Sequence, residues 1–126
     1  KVAVIIHHHT IFGHKCKQVR DHIHSCDVVR AMEAFIENPS AAAVYNLGGA
    51  RGNSASVLEC IHMIEDRLGQ PLDYSYDEQN RVGDHICYIS DIRKLETQYP
   101  EWCITRSLDD IVDEMVDAEL ERQSSA

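Results

Sequence analysis

The sequence predicts a mixed α/β domain, and three observations support this fold class. Apolar residues recur at helical spacing in several segments, short alternating runs typical of strands lie between them, and glycine or proline separates the two kinds of segment. The chain has 126 residues, of which 44% are apolar and 26% charged. That length and composition are typical of one folded domain with its own core.

A first helix is predicted over about residues 27 to 37. Ser25 or Asp27 is available as its N-cap, and Asn38-Pro39 ends it. The apolar positions that repeat at helical spacing, and that we expect to face the core, are Val28, Met32, Phe35 and Ile36.

Further helices are predicted from their N-terminal signals. Ser56 and Glu59 have the spacing of a capping box, and Gly69 ends that helix after Leu68. Ser90 or Asp91 can cap a short helix through Leu95. A last helix opens at Ser107-Leu108-Asp109-Asp110. The apolar stripes of the second and last helices are Val57, Ile61, Ile64 and Leu68, and Leu108, Ile111, Val112 and Met115.

Three segments have the character of strands. Val44–Leu47 is rich in β-forming residues and runs into Gly48-Gly49, which predicts a buried strand that enters a loop. The alternation of Leu72, Tyr74 and Tyr76 with polar residues predicts a half-exposed strand. Residues 86 to 89 form the third candidate.

Charge and cysteine usage exclude several classes of protein. A formal charge of −9 repels polyanions, so we expect neither nucleic acid nor an anionic membrane as a partner. The longest apolar run, Val2 to Ile6, is too short to span a bilayer, and no signal-peptide pattern follows it, so we expect a cytoplasmic protein. Five widely spaced cysteines without a C-x-x-C pair predict reduced, partly buried thiols: Cys16, Cys26, Cys60, Cys87 and Cys103.

Two polar segments are candidates for binding an anion. Arg20 lies in a dense polar stretch before the first helix, and the planar fork of an arginine suits a diphosphate. The alternative is that Arg20 pairs with a nearby acid while Asp27 caps the helix. Arg81 lies in a loop between two strand candidates, where the alternative is a tight turn made by Gly83 with Arg81 in solvent.

Two other motifs are not interpreted as sites. Gly48-Gly49-Ala50-Arg51-Gly52 is not a dinucleotide-binding loop, because Ala55 stands where the third glycine is needed. His7-His8-His9 cannot converge on one ion from regular structure, and His22 and His24 have no third ligand near them in sequence. We therefore predict no metal site.

Taken in order, several weak motifs over about residues 10 to 116 resemble one family, the extended short-chain dehydrogenase/reductases, which are NAD-dependent epimerases and dehydratases. Within it they are similar to the CDP-paratose 2-epimerase group. The segments that carry the resemblance are residues 17–27, 44–49, 56–59, 74–76, 80–85, 89–91 and 99–102.

The resemblance implies a two-lobed enzyme in which an N-terminal Rossmann domain holds NAD and a C-terminal lobe holds the nucleotide sugar. This chain resembles the C-terminal, substrate-binding part. By similarity, Arg20 and Arg81 contact the nucleotide diphosphate of a sugar, with a CDP-linked sugar favoured. Asp84 lies beside the second arginine, and Gln18 faces the same pocket. Two such arginines should lie within roughly 10 Å of each other.

The family's catalytic pair is Tyr-x-x-x-Lys, and no tyrosine of this chain has a lysine four residues later. The glycine loop for the cofactor is also missing from the sequence, so we expect no catalytic residue, no cofactor bound by this chain alone and no epimerase turnover. We expect a homodimer, and the alternative function is a non-catalytic homo-oligomeric or partner-binding module. The expected division is an unassigned start (1–9), the epimerase-like domain (10–120) and a frayed polar tail (121–126).

Overall fold

The computed structural model describes residues 9–12, 17–77, 83 and 85–125. Helices and strands are mixed along the chain, which confirms the predicted fold class. In chain order the elements are β1 (His9–Phe12), β2 (Val19–Asp21), α1 (Ser25–Glu37), β3 (Ser54–Ser56), α2 (Val57–Leu68), β4 (Tyr74–Asp77), β5 (Cys87–Tyr88), α3 (Arg93–Gln98) and α4 (Leu108–Ser124).

The strands form two small sheets. β1 and β4 pair in parallel, with His9 opposite Tyr74. In the other sheet β2 is central, antiparallel to β3 and parallel to β5, so that Arg20 lies opposite Ala55 on one side and Tyr88 on the other. The strand predicted around Tyr74 and Tyr76 is confirmed. The one predicted over residues 86 to 89 is confirmed in a shorter form.

Helix α1 begins earlier than predicted and has a different cap. His24 is the N-cap, and its Nδ1 accepts a hydrogen bond from the amide of Cys26 at 3.1 Å, so neither Ser25 nor Asp27 caps the helix. Asn38 ends it as predicted. The predicted core stripe is wrong, because Ala31 and Asp27 are buried whereas the larger apolar residues Met32, Phe35 and Ile36 are exposed.

The predicted strand at Val44–Leu47 is also wrong as stated. Residues 43–47 are assigned to no strand, and Val44 is 78% exposed. The alternation is nevertheless that of a strand, because Tyr45 and Leu47 pack against the core while Val44 and Asn46 face solvent. What is missing is a neighbouring strand among the residues that the structure describes.

Helix α2 follows the prediction at both ends. The Ser56 hydroxyl accepts from the amide of Glu59, the Glu59 carboxylate accepts from the amide of Ser56 at 2.7 Å, and Gly69 closes the helix in the left-handed conformation at φ 65°. Ile61 is buried. Arg67 joins α2 to α4 through Asp109, at 2.8 Å, and through Asp113.

The later helices depart from the sequence pattern at their ends. Ile92 is the N-cap of α3 and makes no side-chain cap, although the Asp91 carboxylate accepts from the amide of Arg93, and α3 continues to Gln98. Ser107 precedes α4 as predicted, and it forms a capping box with Asp110. Met115 of its predicted stripe is 65% exposed. Residues 121–124, expected as a frayed tail, belong to α4.

The main core cluster lies between α1 and the segment around α3. Its buried members are Ala31, Ile92, Leu95, Tyr99 and Trp102. Tyr45 packs edge-on against Tyr99, with ring centroids 5.6 Å apart. This cluster is therefore built mainly by residues 90–104, which cover the inner face of α1.

The described cysteines are less buried than the sequence predicts. Among the described cysteines, Cys60 is half-buried as expected, but Cys26, Cys87 and Cys103 are exposed, which corrects that part of the prediction. All four are free thiols. Within the described ranges, no helix has the length and apolar character that crossing a membrane requires.

Candidate functional site

The predicted anion-binding residues that the structure describes lie on or beside the central strand β2. Arg20 is half-buried, and one of its guanidinium nitrogens donates to the carbonyl of Val19 at 2.8 Å. Gln18 is 7% exposed, and its carbonyl accepts from the amide of Val57 at 3.3 Å. Gln18 lies immediately before β2, two residues from Arg20.

Arg81 and Asp84 lie outside the described residues, so their distance from Arg20 stays a prediction. Their place in the sequence is still relevant to that distance, because the segment that contains them leads directly into β5. That strand pairs with β2, and the amide of Val19 donates to the carbonyl of Ile86 at 2.9 Å. The chain therefore returns to the strand of Arg20 two residues after Asp84.

Asp21, at the end of β2, joins three segments that meet on the other side of this strand. Its Oδ2 accepts from the amide of Ser90 at 3.0 Å and from the amide of Ala50 at 3.2 Å. A carboxylate that accepts two backbone hydrogen bonds fixes both segments relative to the strand. Asp21 is thus a positioning residue for the sheet that carries Arg20.

The two glycines after residue 47 are required by close packing. A Cβ at Gly48 would overlap the carboxylate of Asp21 and the side chain of Ser90, and a Cβ at Gly49 would overlap the carbonyl of His22. Both glycines are buried. The glycine-rich segment therefore serves to pack backbone against backbone, which is a separate role from that of a phosphate-binding loop.

Asp27 is fully buried and anchors the segment before α4. Oδ2 accepts from the amides of Thr105, at 3.0 Å, and Arg106, at 3.2 Å, while Oδ1 accepts from the Thr105 hydroxyl at 2.6 Å and from Arg30 at 3.2 Å. Burial by itself would raise the pKa of Asp27, but these hydrogen bonds favour the carboxylate and hold the pKa below its ordinary value. Trp102 donates to the Asp27 carbonyl at 2.9 Å.

The two histidines before α1, His22 and His24, contact different residues. His22 Nε2 lies 3.7 Å from the sulfur of Cys60, and burial, with a smaller contribution from the charge of Glu59, raises the pKa of that thiol. His24 caps α1 through Nδ1, and its Nε2 lies 3.2 Å from a carboxylate oxygen of Glu114. In the part of the chain that the structure describes, no three His, Cys, Asp or Glu residues are grouped to hold a metal ion.

Two open grooves in the described part of the chain lie elsewhere. One, of about 340 Å³, runs between the end of α1 and residues 98–102, and the other, of about 520 Å³, lies beside Asn46 and the start of α3. Neither is lined by Gln18 or Arg20. Neither groove therefore marks the proposed anion site.

The structural importance of Asp21 and Asp27 is not predicted by the sequence, in which Asp21 is one residue of a polar segment and Asp27 a candidate helix cap. Asp21 acts on residues 29 and 69 positions away, and Asp27 on residues 78 and 79 positions away. No local spacing pattern reports such partners. The available signal was a pair of acids at a strand end and in a first helical turn, which is weak by itself.

Solved structures with the same fold cover nearly the whole chain. UDP-glucuronic acid 4-epimerase from Bacillus cereus, in complex with UDP-glucuronic acid and NAD, matches 92% of this chain with a TM-score of 0.74 and 28% identity. UDP-glucose 4-epimerase from Bifidobacterium longum, with NAD+ and UDP, matches 92% with a TM-score of 0.74 and 26% identity. In each case the match covers 35% of the larger protein. A dTDP-glucose 4,6-dehydratase from Bacillus anthracis shares the fold at 22% identity and a TM-score of 0.75, over 92% of this chain and 35% of that protein.

The sequence comparison agrees with the structural one. Over 103 residues the chain is 30% identical to a curated epimerase, and the match covers 80% of this chain and 30% of the relative. The chain belongs to the extended short-chain dehydrogenase/reductases, the NAD-dependent epimerases and dehydratases, and corresponds to their C-terminal part. The curated relative is CDP-paratose 2-epimerase of Salmonella typhi. The chain thus spans about a third of the length of the proteins it matches, and no family model matches it.

Proposed function

We propose that this chain is the nucleotide-sugar-binding part of an NAD-dependent epimerase or dehydratase. The observation that carries the proposal is the position of Arg20. It is half-buried on the central strand β2, directly beside the strand that the Arg81 segment enters. The sequence similarity to a nucleotide-sugar epimerase supplies the chemical class of the ligand.

In this proposal Arg20 and Arg81 hold the diphosphate from two sides. Each guanidinium can donate two parallel, charge-assisted hydrogen bonds, and together they offset the charge of the diphosphate in a protein that is otherwise acidic. Gln18 and Asp84 complete the pocket. A buried amide such as that of Gln18 orients a ligand by hydrogen bonding and adds no charge.

We place the chemical step outside this chain. The described glycine-rich segment packs against Asp21 and His22 and does not fit NAD, and no Tyr-x-x-x-Lys pair is present in the sequence. Hydride transfer in such an enzyme needs a bound nicotinamide and an acid–base group. We therefore propose that binding and orienting the nucleotide sugar is the role of these residues, and that this chain alone does not turn it over.

We also propose that CDP-linked sugars are the preferred ligands, because the curated relative is a CDP-paratose 2-epimerase. The Bacillus cereus and Bifidobacterium longum epimerases named above carry uridine nucleotides, so UDP is the appropriate comparison ligand. A cytoplasmic location agrees with the free thiols of the four described cysteines.

The second candidate is a homo-oligomeric or partner-binding module, favoured by the large apolar side chains exposed on α1 and at Val44. On its own, we propose, the chain covers these side chains by forming a symmetric homodimer that buries more than about 1,000 Å² in total. Binding of nucleotides separates the two candidates, because a pure association module has no need of Arg20.

Isothermal titration of the chain with CDP, UDP and dTDP tests the proposal. We expect CDP to bind more tightly than UDP, and Arg20→Ala to weaken CDP binding by at least about tenfold, because one charge-assisted contact is removed. Arg122→Ala is the matched control, since Arg122 is an exposed arginine of α4 that pairs with Glu119. Absence of binding to all three nucleotides at millimolar concentration, or unchanged binding by Arg20→Ala, would contradict the proposal.

A further inference from the structure

His24, at the start of α1, uses both nitrogens of its ring. Nδ1 accepts a hydrogen bond from the amide of Cys26 at 3.1 Å, which caps the helix, and Nε2 lies 3.2 Å from a carboxylate oxygen of Glu114 on α4. The His24 side chain is 14% exposed, whereas that of Glu114 is 60% exposed. The ring therefore connects the first turn of α1 to the middle of α4.

These two contacts determine which form of the ring is present. A backbone amide can only donate, so Nδ1 must be unprotonated in order to accept from Cys26. A neutral ring then carries its single proton on Nε2, from which it donates to the carboxylate of Glu114. The neutral tautomer with its proton on Nε2 is thus the form of His24 that satisfies both partners.

Uptake of a second proton sets the two contacts against each other. A proton on Nδ1 would face the amide proton of Cys26, so the hydrogen bond that caps α1 is lost. The new positive charge would also lie at the N-terminus of a helix of 13 residues, where the helix dipole opposes it. The charge of Glu114 favours the proton, but an ion pair with so exposed a carboxylate is weakened by solvent. Proton uptake therefore leaves the ring beside α4 and releases the start of α1.

The other charged groups near the ring mostly have partners of their own. Asp117, three residues after Glu114, adds a further negative charge to that side of α4. Groups on the adjoining segments are engaged as follows: Asp27 with Thr105, Arg106 and Arg30, His22 with Cys60, Glu59 with Ser56, Asp110 with Ser107 and the charge of Arg106, and Asp113 with Arg67. Of the groups that the structure describes, Glu114 is the charged partner of His24.

We infer that His24 is an acid-sensitive latch between α1 and α4. When the ring is neutral the latch is closed, and when the ring is protonated the cap of α1 opens while the contact with Glu114 remains. Histidine changes its charge between about pH 5 and 8, which makes this change possible under mild conditions. The latch lies in the turn that joins β2 to α1, so its opening loosens the connection that follows the strand of Arg20. The inference concerns α1 and does not depend on the binding of a nucleotide.

Nuclear magnetic resonance of the full, ¹⁵N-labelled chain tests the latch at about pH 8 and about pH 5. At the higher pH, Nδ1 of His24 is expected to be unprotonated and Nε2 protonated. Hydrogen exchange of the Cys26 amide, relative to its rate in an unfolded peptide, should be at least about fivefold less protected at the lower pH, because the capping bond is lost. Hydrogen bonding holds the pKa of Asp27 below its ordinary value, so its carboxylate stays ionised in this range.

Two variants show whether His24 is the group responsible. His24→Asn supplies a capping side chain that does not titrate, so the protection of the Cys26 amide should change by less than about twofold between the two pH values. His62→Asn is the matched control and should behave as the wild type, because His62 is an exposed histidine of α2 that caps no helix.

Three results would overturn the inference: a proton on Nδ1 at the higher pH, unchanged protection of Cys26 at the lower pH, or an equal loss of protection in His24→Asn. The first is measured on the wild-type chain, so it holds even where a variant fails to fold. None of these measurements uses a nucleotide. Failure of CDP to bind therefore overturns the proposed function alone, and failure of the latch overturns this inference alone.

Discussion

Replacing Gly49 by alanine is expected to destabilise the chain by at least about 3 kcal/mol, or to prevent folding. The added Cβ would overlap the backbone carbonyl of His22, and Asn53 closes the other side of the position. The residue just after β2, the glycine pair and the start of β3 are joined here, since the amide of His22 donates to the carbonyl of Asn53 at 2.8 Å. Backbone atoms cannot rotate aside as a flexible side chain can.

Gly52→Ala is the matched control for this effect. Gly52 lies three residues further in the same loop, its φ is outside the left-handed region, and a Cβ there meets no atom within 4 Å. Urea unfolding followed by circular dichroism should show a change of no more than about 0.5 kcal/mol for the control. Similar losses in both variants would show that the close approach to His22 is not the cause.

Asp27→Asn is expected to lower the free energy of unfolding by about 2 to 4 kcal/mol. The carboxylate accepts four hydrogen bonds in a fully buried position, and an amide turns one acceptor into a donor that faces other donors. Asp91→Asn is the control, because Asp91 is more than half exposed and its pairing with Arg93 is a surface contact worth at most about 1 kcal/mol.

Asp27 also makes the stability of the folded chain depend on pH, and the direction of this dependence can be predicted. Because hydrogen bonding holds the folded pKa of Asp27 below that of the unfolded chain, its stabilising contribution is complete above about pH 4 and is lost as pH falls through the folded pKa. Denaturant unfolding between about pH 3 and 6 should therefore show that the free energy of unfolding decreases less with falling pH in Asp27→Asn than in the wild type. An equal slope in both proteins would contradict the assignment.

The elements that could be predicted from the sequence are those whose signals are local. The residues at Ser56 and Ser107 mark the starts of α2 and α4 correctly, and the glycine after Leu68 marks the end of α2, because each signal depends on residues within one helical turn. The N-cap of α1 was missed, since histidine is not among the preferred cap residues and its role depends on the orientation of its ring.

The wrong prediction of the core side of α1 has a physical origin. Apolar spacing shows that a side of a helix or strand is buried by something, but it does not show which segment buries it. In this chain the inner side of α1 is made by Ala31 and Ala34, while Met32 and Ile36 are left in solvent. The pattern therefore predicted the correct element with the wrong face towards the core.

The candidate site was predictable only through the resemblance to a family. Arg20, taken alone, has an equally simple structural interpretation, and no spacing rule links it to Arg81. The structure adds that β2, which carries Arg20, pairs with the strand that the Arg81 segment enters. Long-range partners such as Asp21 with Ser90 and Asp27 with Thr105 are decided by the tertiary fold, so no local pattern could reveal them.

The central claim is that Arg20 and Arg81 bind one diphosphate, and a crystal structure of the chain with CDP tests it most directly. We predict that both guanidinium groups donate to the diphosphate oxygens and lie within about 10 Å of each other, with Gln18 lining the same pocket. A diphosphate bound elsewhere, or the two arginines on opposite faces of the sheet that contains β2, would contradict the claim.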